Sequence, residues 1–133
     1  MGFFGNFVFS EGRWADAPTS DEYLSIDIHD SDFATIEYRP TGRGRGRLYL
    51  GFEPRHYFED PAASEQVDVS QESSGLSGWA QSVLDVRVSP EQLRILMADP
   101  EGADPESPFV EDTVVQLIAL FGLPLPTDLE PNA

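Results

Sequence analysis

Residues 23–29, YLSIDIH, alternate strictly between apolar and polar side chains. Leu24, Ile26 and Ile28 fall on one side of an extended chain, and polar residues fall on the other. A period of two residues is typical of a β-strand with one buried and one wet face. Such a strand requires partner strands beside it and a second layer over its apolar face.

Neighbouring segments supply the partner strands. Residues 7–9 and 13–14 flank a Ser-Glu-Gly turn and predict a short hairpin. Residues 33–39 predict a return strand after a polar turn at 30–32, and residues 47–52 predict a third core strand. The first half of the chain therefore predicts an antiparallel meander with one wet face.

Helix signals dominate the second half of the chain. Asp68 is placed to cap a helix over residues 69–83, with Gln71 at the third position as in a capping box. Ser89, which is followed by a proline, predicts the start of a second helix that ends near Ala98.

The last helix is predicted to start at Ser107, which also precedes a proline, and to stop at Gly122. Its buried stripe follows helical spacing. The stripe consists of Val110, Val114, Leu117, Ile118 and Phe121. Residues 84–88, LDVRV, alternate and predict one further short strand.

These segments predict the α+β class, with an antiparallel β meander in the N-terminal half packed against about three helices from the C-terminal half. The 133 residues, 40% of them hydrophobic, suit one domain. Residues 1–133 would form that domain, β-rich over 1–60 and helix-rich over 61–123, with a short Pro-rich tail at 124–133. Phe3 and Phe4 are expected to dock into the domain rather than to form a contact surface.

The chain carries a formal net charge of -16 and contains no lysine and no cysteine. Residues 1–60 hold 11 acidic residues and 6 arginines, whereas residues 61–133 hold 13 and 2. The field of the second half repels nucleic acids and anionic membranes and attracts basic partners. The lack of cysteine excludes disulfides and thiol catalysis. The absence of a basic segment at the apolar N-terminus argues against a signal peptide, so we expect a cytoplasmic protein without a membrane partner.

Half of the basic residues lie within nine positions: Arg39, Arg43, Arg45 and Arg47. On a strand, alternate arginines share one face with Tyr49, near Asp27 and Glu37 of neighbouring strands. One interpretation is a surface of cross-strand ion pairs. The other is a cationic spot that holds a phosphate or carboxylate group of a partner. Direct binding of nucleic acid is disfavoured by the net charge.

Two histidines are the remaining candidates for chemistry. His29 lies among Asp27, Asp30 and Asp32, a set that can ligate a cation but fits no calcium-loop spacing. His56 precedes two acidic residues. No nucleophile elbow and no phosphate-binding loop is present in the sequence. We therefore predict no catalytic residue, no metal site and no cofactor.

Three segments, MGFFGNFVFSEGRW, DIHDSDFATIEYRP and LYLGFEPRHYFEDP, resemble small acidic proteins of high-GC actinobacteria. The resemblance covers roughly the first 65 residues and brings no activity with it. In size, acidity, α+β character and lack of catalytic residues, the chain also resembles immunity proteins of bacterial toxin systems.

The sequence thus predicts a non-enzymatic acidic protein-binding module, an immunity- or antitoxin-like inhibitor of a basic partner protein. The expected contact consists of Glu101, Asp104, Glu106, Glu111 and Asp112. A second candidate surface consists of Asp27, Glu37, Arg45, Arg47 and Tyr49. Two alternatives stay open: a nucleic-acid mimic that inhibits a DNA-binding protein, and a small-ligand binder or enzyme centred on His29 or His56.

Overall fold

The structure, a computed structural model, describes residues 2–41 and 44–129. Within these residues, an antiparallel five-stranded sheet precedes the helices, which confirms the α+β class. The strands are β1 (Gly5–Ser10), β2 (Arg13–Ala15), β3 (Tyr23–His29), β4 (Phe33–Thr41) and β5 (Gly44–Leu50). The α-helices are α1 (Pro54–Tyr57), α2 (Val69–Trp79), α3 (Pro90–Leu96) and α4 (Val110–Leu120).

The strands lie in the order β2-β1-β3-β4-β5. The run β3-β4-β5 is the predicted meander, whereas β1 lies directly beside β3 and β2 folds out to the far edge. Phe7 of β1 is buried opposite Ile26 of β3, so β1 belongs to the centre of the apolar face. The three residues of β2 are not buried, and a short strand suits an exposed sheet edge.

The inner face of the sheet forms one half of the core. Ile26 pairs with Ile36, and Ile36 pairs with Leu48, and all three are buried. Helices α2 and α4 pack over this face against β4 and β5. The alternation of the sequence therefore correctly separates the buried face of β3 from its wet face.

The cap of α2 is confirmed, because the Asp68 side chain accepts a hydrogen bond from the Gln71 backbone N–H. The α-helix ends at Trp79 and continues as a π-helical turn over Ala80–Leu84. The strand predicted at 84–88 is wrong. Val88 is buried, and the Ser77 hydroxyl donates a hydrogen bond to its carbonyl. The apolar residues of 84–88 therefore alternate because they pack against the helices, not because they form a strand.

Helix α3 begins with the predicted capping box of Ser89 and Gln92. It ends at Leu96, two residues before the predicted end. The cause lies in the sheet, because Met97 forms an antiparallel bridge with Leu50. A β-bridge requires extended backbone, which stops the helix.

The last helix begins later than predicted. Ser107 forms a local turn with Phe109, and α4 starts at Val110. The N–H of Val110 donates to the carbonyl of Ser31 in the β3–β4 turn, so a tertiary contact determines the first residue of the helix. The predicted buried stripe is confirmed in full.

Both ends of the described chain dock onto the domain. Phe3 exchanges backbone and side-chain hydrogen bonds with Ser31 and packs against the core, as expected. Phe4 instead remains 58% exposed. At the other end, the Trp14 indole donates to the Pro124 carbonyl, and residues 130–133 of the predicted tail lie outside the described residues.

Tyr38 is fully buried between β5 and α2. A Cβ atom at Gly46, its partner on β5, would lie 2.2 Å from the Tyr38 ring. A Cβ atom at Gly75 on α2 would lie 2.5 Å from the phenol oxygen. The Tyr38 hydroxyl donates to Glu72 at 2.7 Å. The two glycines therefore make room for a ring that joins the sheet to the helix.

We expect Gly75→Ala to lower the free energy of unfolding by about 1–3 kcal/mol, because the new methyl group overlaps the phenol oxygen. In a Tyr38→Phe background that oxygen is absent, and the next ring atom lies 3.5 Å from the Cβ position. There the same change should raise the free energy of unfolding by up to about 1 kcal/mol through helix propensity. Urea unfolding of the double-mutant cycle measures the difference.

Gly78→Ala is the matched control in the same helix, because a Cβ atom there meets nothing within 4 Å. We expect it to stabilise both backgrounds equally, by about 1 kcal/mol. An equal cost of Gly75→Ala with and without the phenol oxygen would contradict the proposed overlap.

Candidate functional site

The acidic loop at residues 98–107, between α3 and α4, is held at several points. The Ala98 N–H donates to the Tyr49 carbonyl at 2.8 Å. The Pro100 carbonyl contacts the guanidinium of Arg55 and, at 3.0 Å, Nε2 of His56. Because these contacts fasten the loop to β5 and α1, its acidic side chains project from an anchored backbone.

A groove of about 300 Å³ lies between this loop, α3 and α4. Its lining includes Met97 and Ile95, together with the acidic residues Asp99, Asp104 and Glu106. Ile95 is 81% exposed, the most exposed large hydrophobic side chain among the described residues. The groove thus combines an apolar side chain with an acidic rim.

The predicted contact residues divide into two groups. Asp104 and Glu106 line the groove, while Glu101 and Asp112 are exposed beside it. Glu111 turns inward and accepts a hydrogen bond from the Ser31 hydroxyl at 2.9 Å. Its other oxygen is buried without a partner among the described residues. Glu111 is therefore only partly exposed and holds α4 to the β3–β4 turn.

The second predicted surface is centred on Glu37. Its carboxylate accepts hydrogen bonds from Arg47 at 2.7 Å and Arg45 at 3.4 Å, and from the Tyr23 hydroxyl at 3.3 Å. Asp27 lies one strand further away, in register with Thr35. The predicted ion pairs with Glu37 are therefore confirmed, whereas Asp27 stands apart from them.

Two further residues were expected near this surface, Tyr49 and Arg43. Tyr49 shares the outer face with the arginines but is buried. Arg43 lies outside the described residues.

The ion pair between Glu37 and Arg47 changes the pKa of both side chains. Burial works to raise the pKa of Glu37, but hydrogen bonding to Arg47 and the charges of Arg47 and Arg45 outweigh it and lower that pKa below 4.5. The hydrogen bond that Arg47 donates to Glu37 in turn raises the pKa of Arg47. The Glu37 carboxylate is therefore ionised in the folded protein at neutral pH.

His29 lies in an aromatic cluster on the outer face. Its ring stacks on Phe33 with a centroid distance of 5.0 Å, and the edges of Phe4, Tyr57 and Phe58 surround it. The acidic residues of this turn have structural partners. Asp30 accepts from the Gly2 N–H, and Asp32 accepts from the Tyr57 hydroxyl.

The hydrogen bond to Asp32, with burial and nearby negative charge, raises the pKa of the Tyr57 phenol above 10.0. Across residues 2–41 and 44–129, no group of three or more histidine, cysteine or acidic side chains is arranged to hold a metal ion. His56, the other histidine, fastens the acidic loop as described above.

The groove and its anchor were not predicted. Leu93 and Leu96 lie three residues apart on one side of α3, and Ile95 falls outside that spacing, so helical periodicity could have placed its side chain towards solvent. Arg55 and His56 lie in a single helical turn, and their common acceptor is about 45 residues away in the sequence. The sequence signals for this site were the charge density in the acidic loop and the position of Ile95 outside the apolar spacing of α3.

Comparison with known proteins gave no match to a protein-family model, to a curated protein or to a solved structure. In the part of the chain that the structure describes, no helix has the length and apolar character needed to cross a membrane. The functional assignment therefore rests on the surfaces described above.

We expect Glu37→Gln to lower the free energy of unfolding at pH 7 by about 0.5–1 kcal/mol, since it removes the shared carboxylate. A carboxyl group with a lowered folded-state pKa stabilises the fold above its unfolded-state pKa, and this contribution disappears as the pH falls through the folded-state value. The difference between wild type and variant should therefore vanish between pH 4.5 and strongly acidic pH. Urea unfolding at several pH values measures it.

Asp16→Asn is the control, because Asp16 is exposed and lies at the opposite edge of the sheet from Arg45 and Arg47. Its difference from wild type should depend much less on pH. A Glu37→Gln difference that persists unchanged in acid would contradict the ion-pair assignment.

Proposed function

We propose that this chain is a non-enzymatic, cytoplasmic protein-binding module, an immunity- or antitoxin-like inhibitor of a basic partner protein. The observation that carries the proposal is the groove in which Ile95 is exposed beside Asp104 and Glu106. A large apolar side chain exposed beside a charged rim is the arrangement that protein interfaces use.

The apolar part of the groove would supply binding free energy. Complete burial of an isoleucine side chain contributes about 1.5–3 kcal/mol. Residues that contribute most to an interface lie in its desolvated centre, with a surrounding ring that excludes water. Ile95 is suited to the centre of such a contact, and the acidic loop is suited to the ring.

The acidic loop would raise the rate of association and select for a basic partner. A net charge of -16 attracts a basic partner over a distance, and complementary charges raise the association rate. An enzyme that acts on phosphate-rich polymers carries the basic surface required. Its catalytic surface would be attracted to the carboxylates of the loop.

The anchored backbone favours tight binding. Arg55 and His56 hold the Pro100 carbonyl, and the N–H of Glu101 donates to the Asp99 side chain at 2.8 Å. A loop that already has its bound shape loses less conformational entropy on association. We therefore assign Arg55 and His56 a positioning role in this surface.

The first experiment is affinity capture with the full chain from a lysate of the encoding organism, at low salt and at about 0.5 M salt, where the Debye length is roughly 4 Å. We expect one stoichiometric partner whose binding survives high salt. The purified partner should also rebind the purified chain. A mixture of basic proteins that is lost at high salt would contradict it.

Reversal of Glu101, Asp104 and Glu106 to lysine should slow association with the purified partner by about tenfold or more at low salt, because it removes electrostatic steering. Ile95→Ala should instead mainly increase the dissociation rate. Stopped-flow or surface-based kinetics at several salt concentrations separate the two effects.

The matched control reverses Asp16, Asp21 and Glu22, which are exposed in the loop between β2 and β3. This variant has the same net charge as the first triple variant. Equal slowing by both triple variants would mean that total charge, not the groove, directs association.

A further inference from the structure

A larger cavity lies between β5 and the segment that joins α1 to α2. It has a volume of about 640 Å³. Arg45, Arg47 and Tyr49 form one wall, and Ser64, Gln66 and Gln71 contribute to the opposite side. This cavity shares no lining residue with the acidic groove, and unlike the groove it contains arginines.

The arginines have unused binding capacity. Arg45 and Arg47 share the single carboxylate of Glu37, and their side chains are 62% and 55% exposed. A guanidinium group has five N–H donors and binds a planar or tetrahedral oxyanion with two of them. Two guanidinium groups that share one carboxylate leave several N–H donors available.

Acidic residues of the cavity wall have internal partners. Asp68 caps α2 through the Gln71 N–H at 3.0 Å. Glu72 accepts from the Tyr38 hydroxyl and, at 3.2 Å, from the Arg47 backbone N–H. Both carboxylates are thus committed to the fold, while Glu65 is exposed at the rim. The lining therefore contains three carboxylates beside its two arginines, and the free N–H donors of the arginines, rather than a net positive charge, are what this cavity offers to an anion.

We propose that this cavity binds a small molecule that carries a carboxylate or phosphate group. Arg45 and Arg47 would bind the oxyanion through paired hydrogen bonds, which their planar guanidinium groups favour. Ser64, Gln66 and Gln71 would contact polar groups on the remainder of the ligand. A long nucleic acid does not fit this site, because the surrounding charge of the protein repels it.

The test is a titration of the full ¹⁵N-labelled chain at pH 7 and low salt with two probes, inorganic phosphate and succinate, followed by amide chemical shifts. We expect saturable shifts confined to residues 45–49 and 64–71. Arg45→Gln with Arg47→Gln should weaken binding at least tenfold. Arg45→Gln alone, which leaves the shorter Arg47–Glu37 bond intact, should weaken it severalfold in a chain that remains folded.

Arg13→Gln with Arg87→Gln is the matched control, since both arginines are exposed elsewhere and the net charge changes equally. It should bind both probes as the wild type does. Saturable binding of phosphate alone assigns a phosphoryl ligand, of succinate alone a carboxylate ligand, and of both a general oxyanion site. No saturable shift, or equal weakening by the control pair, would overturn the proposal.

Discussion

The phenol of Tyr38 lies where the sheet meets α2, and it links that helix to β5, the strand on which both surfaces are built. Its ring occupies the space above Gly46, and its hydroxyl approaches α2 at Gly75 and donates to Glu72. Glu72 in turn accepts from the backbone N–H of Arg47 on β5. The buried Glu72 carboxylate thereby joins α2 to β4 and to the edge strand β5. A buried carboxylate is stable only when it has such hydrogen-bond partners.

The alternating glycines and arginines of β5 follow from this contact. Gly46 is required on the inner face because the Tyr38 ring lies over it, whereas Arg45 and Arg47 face outward. Pairing with Glu37 holds Arg45 and Arg47 in place but does not use all of their N–H donors. The cluster is therefore partly structural, and its remaining capacity is directed towards the neighbouring cavity.

The acidic groove depends on the same edge strand. The Tyr49 carbonyl of β5 accepts from Ala98 at the start of the loop, and Leu50 forms a bridge with Met97 at the end of α3. Helix α1, which follows β5, then provides Arg55 and His56, which hold Pro100. The proposed partner surface and the proposed ligand cavity are thus both built on β5, and Tyr49 contributes to each of them.

Local signals in the sequence determined the class of the fold, the buried face of β3 and the caps at Asp68 and Ser89, because each depends on residues only a few positions apart. Only the tertiary structure decided which acidic side chains reach the surface. Glu111 and Asp112 are adjacent, yet Glu111 turns inward to a serine 80 residues away. Such contacts depend on how distant segments pack, and no local periodicity records them.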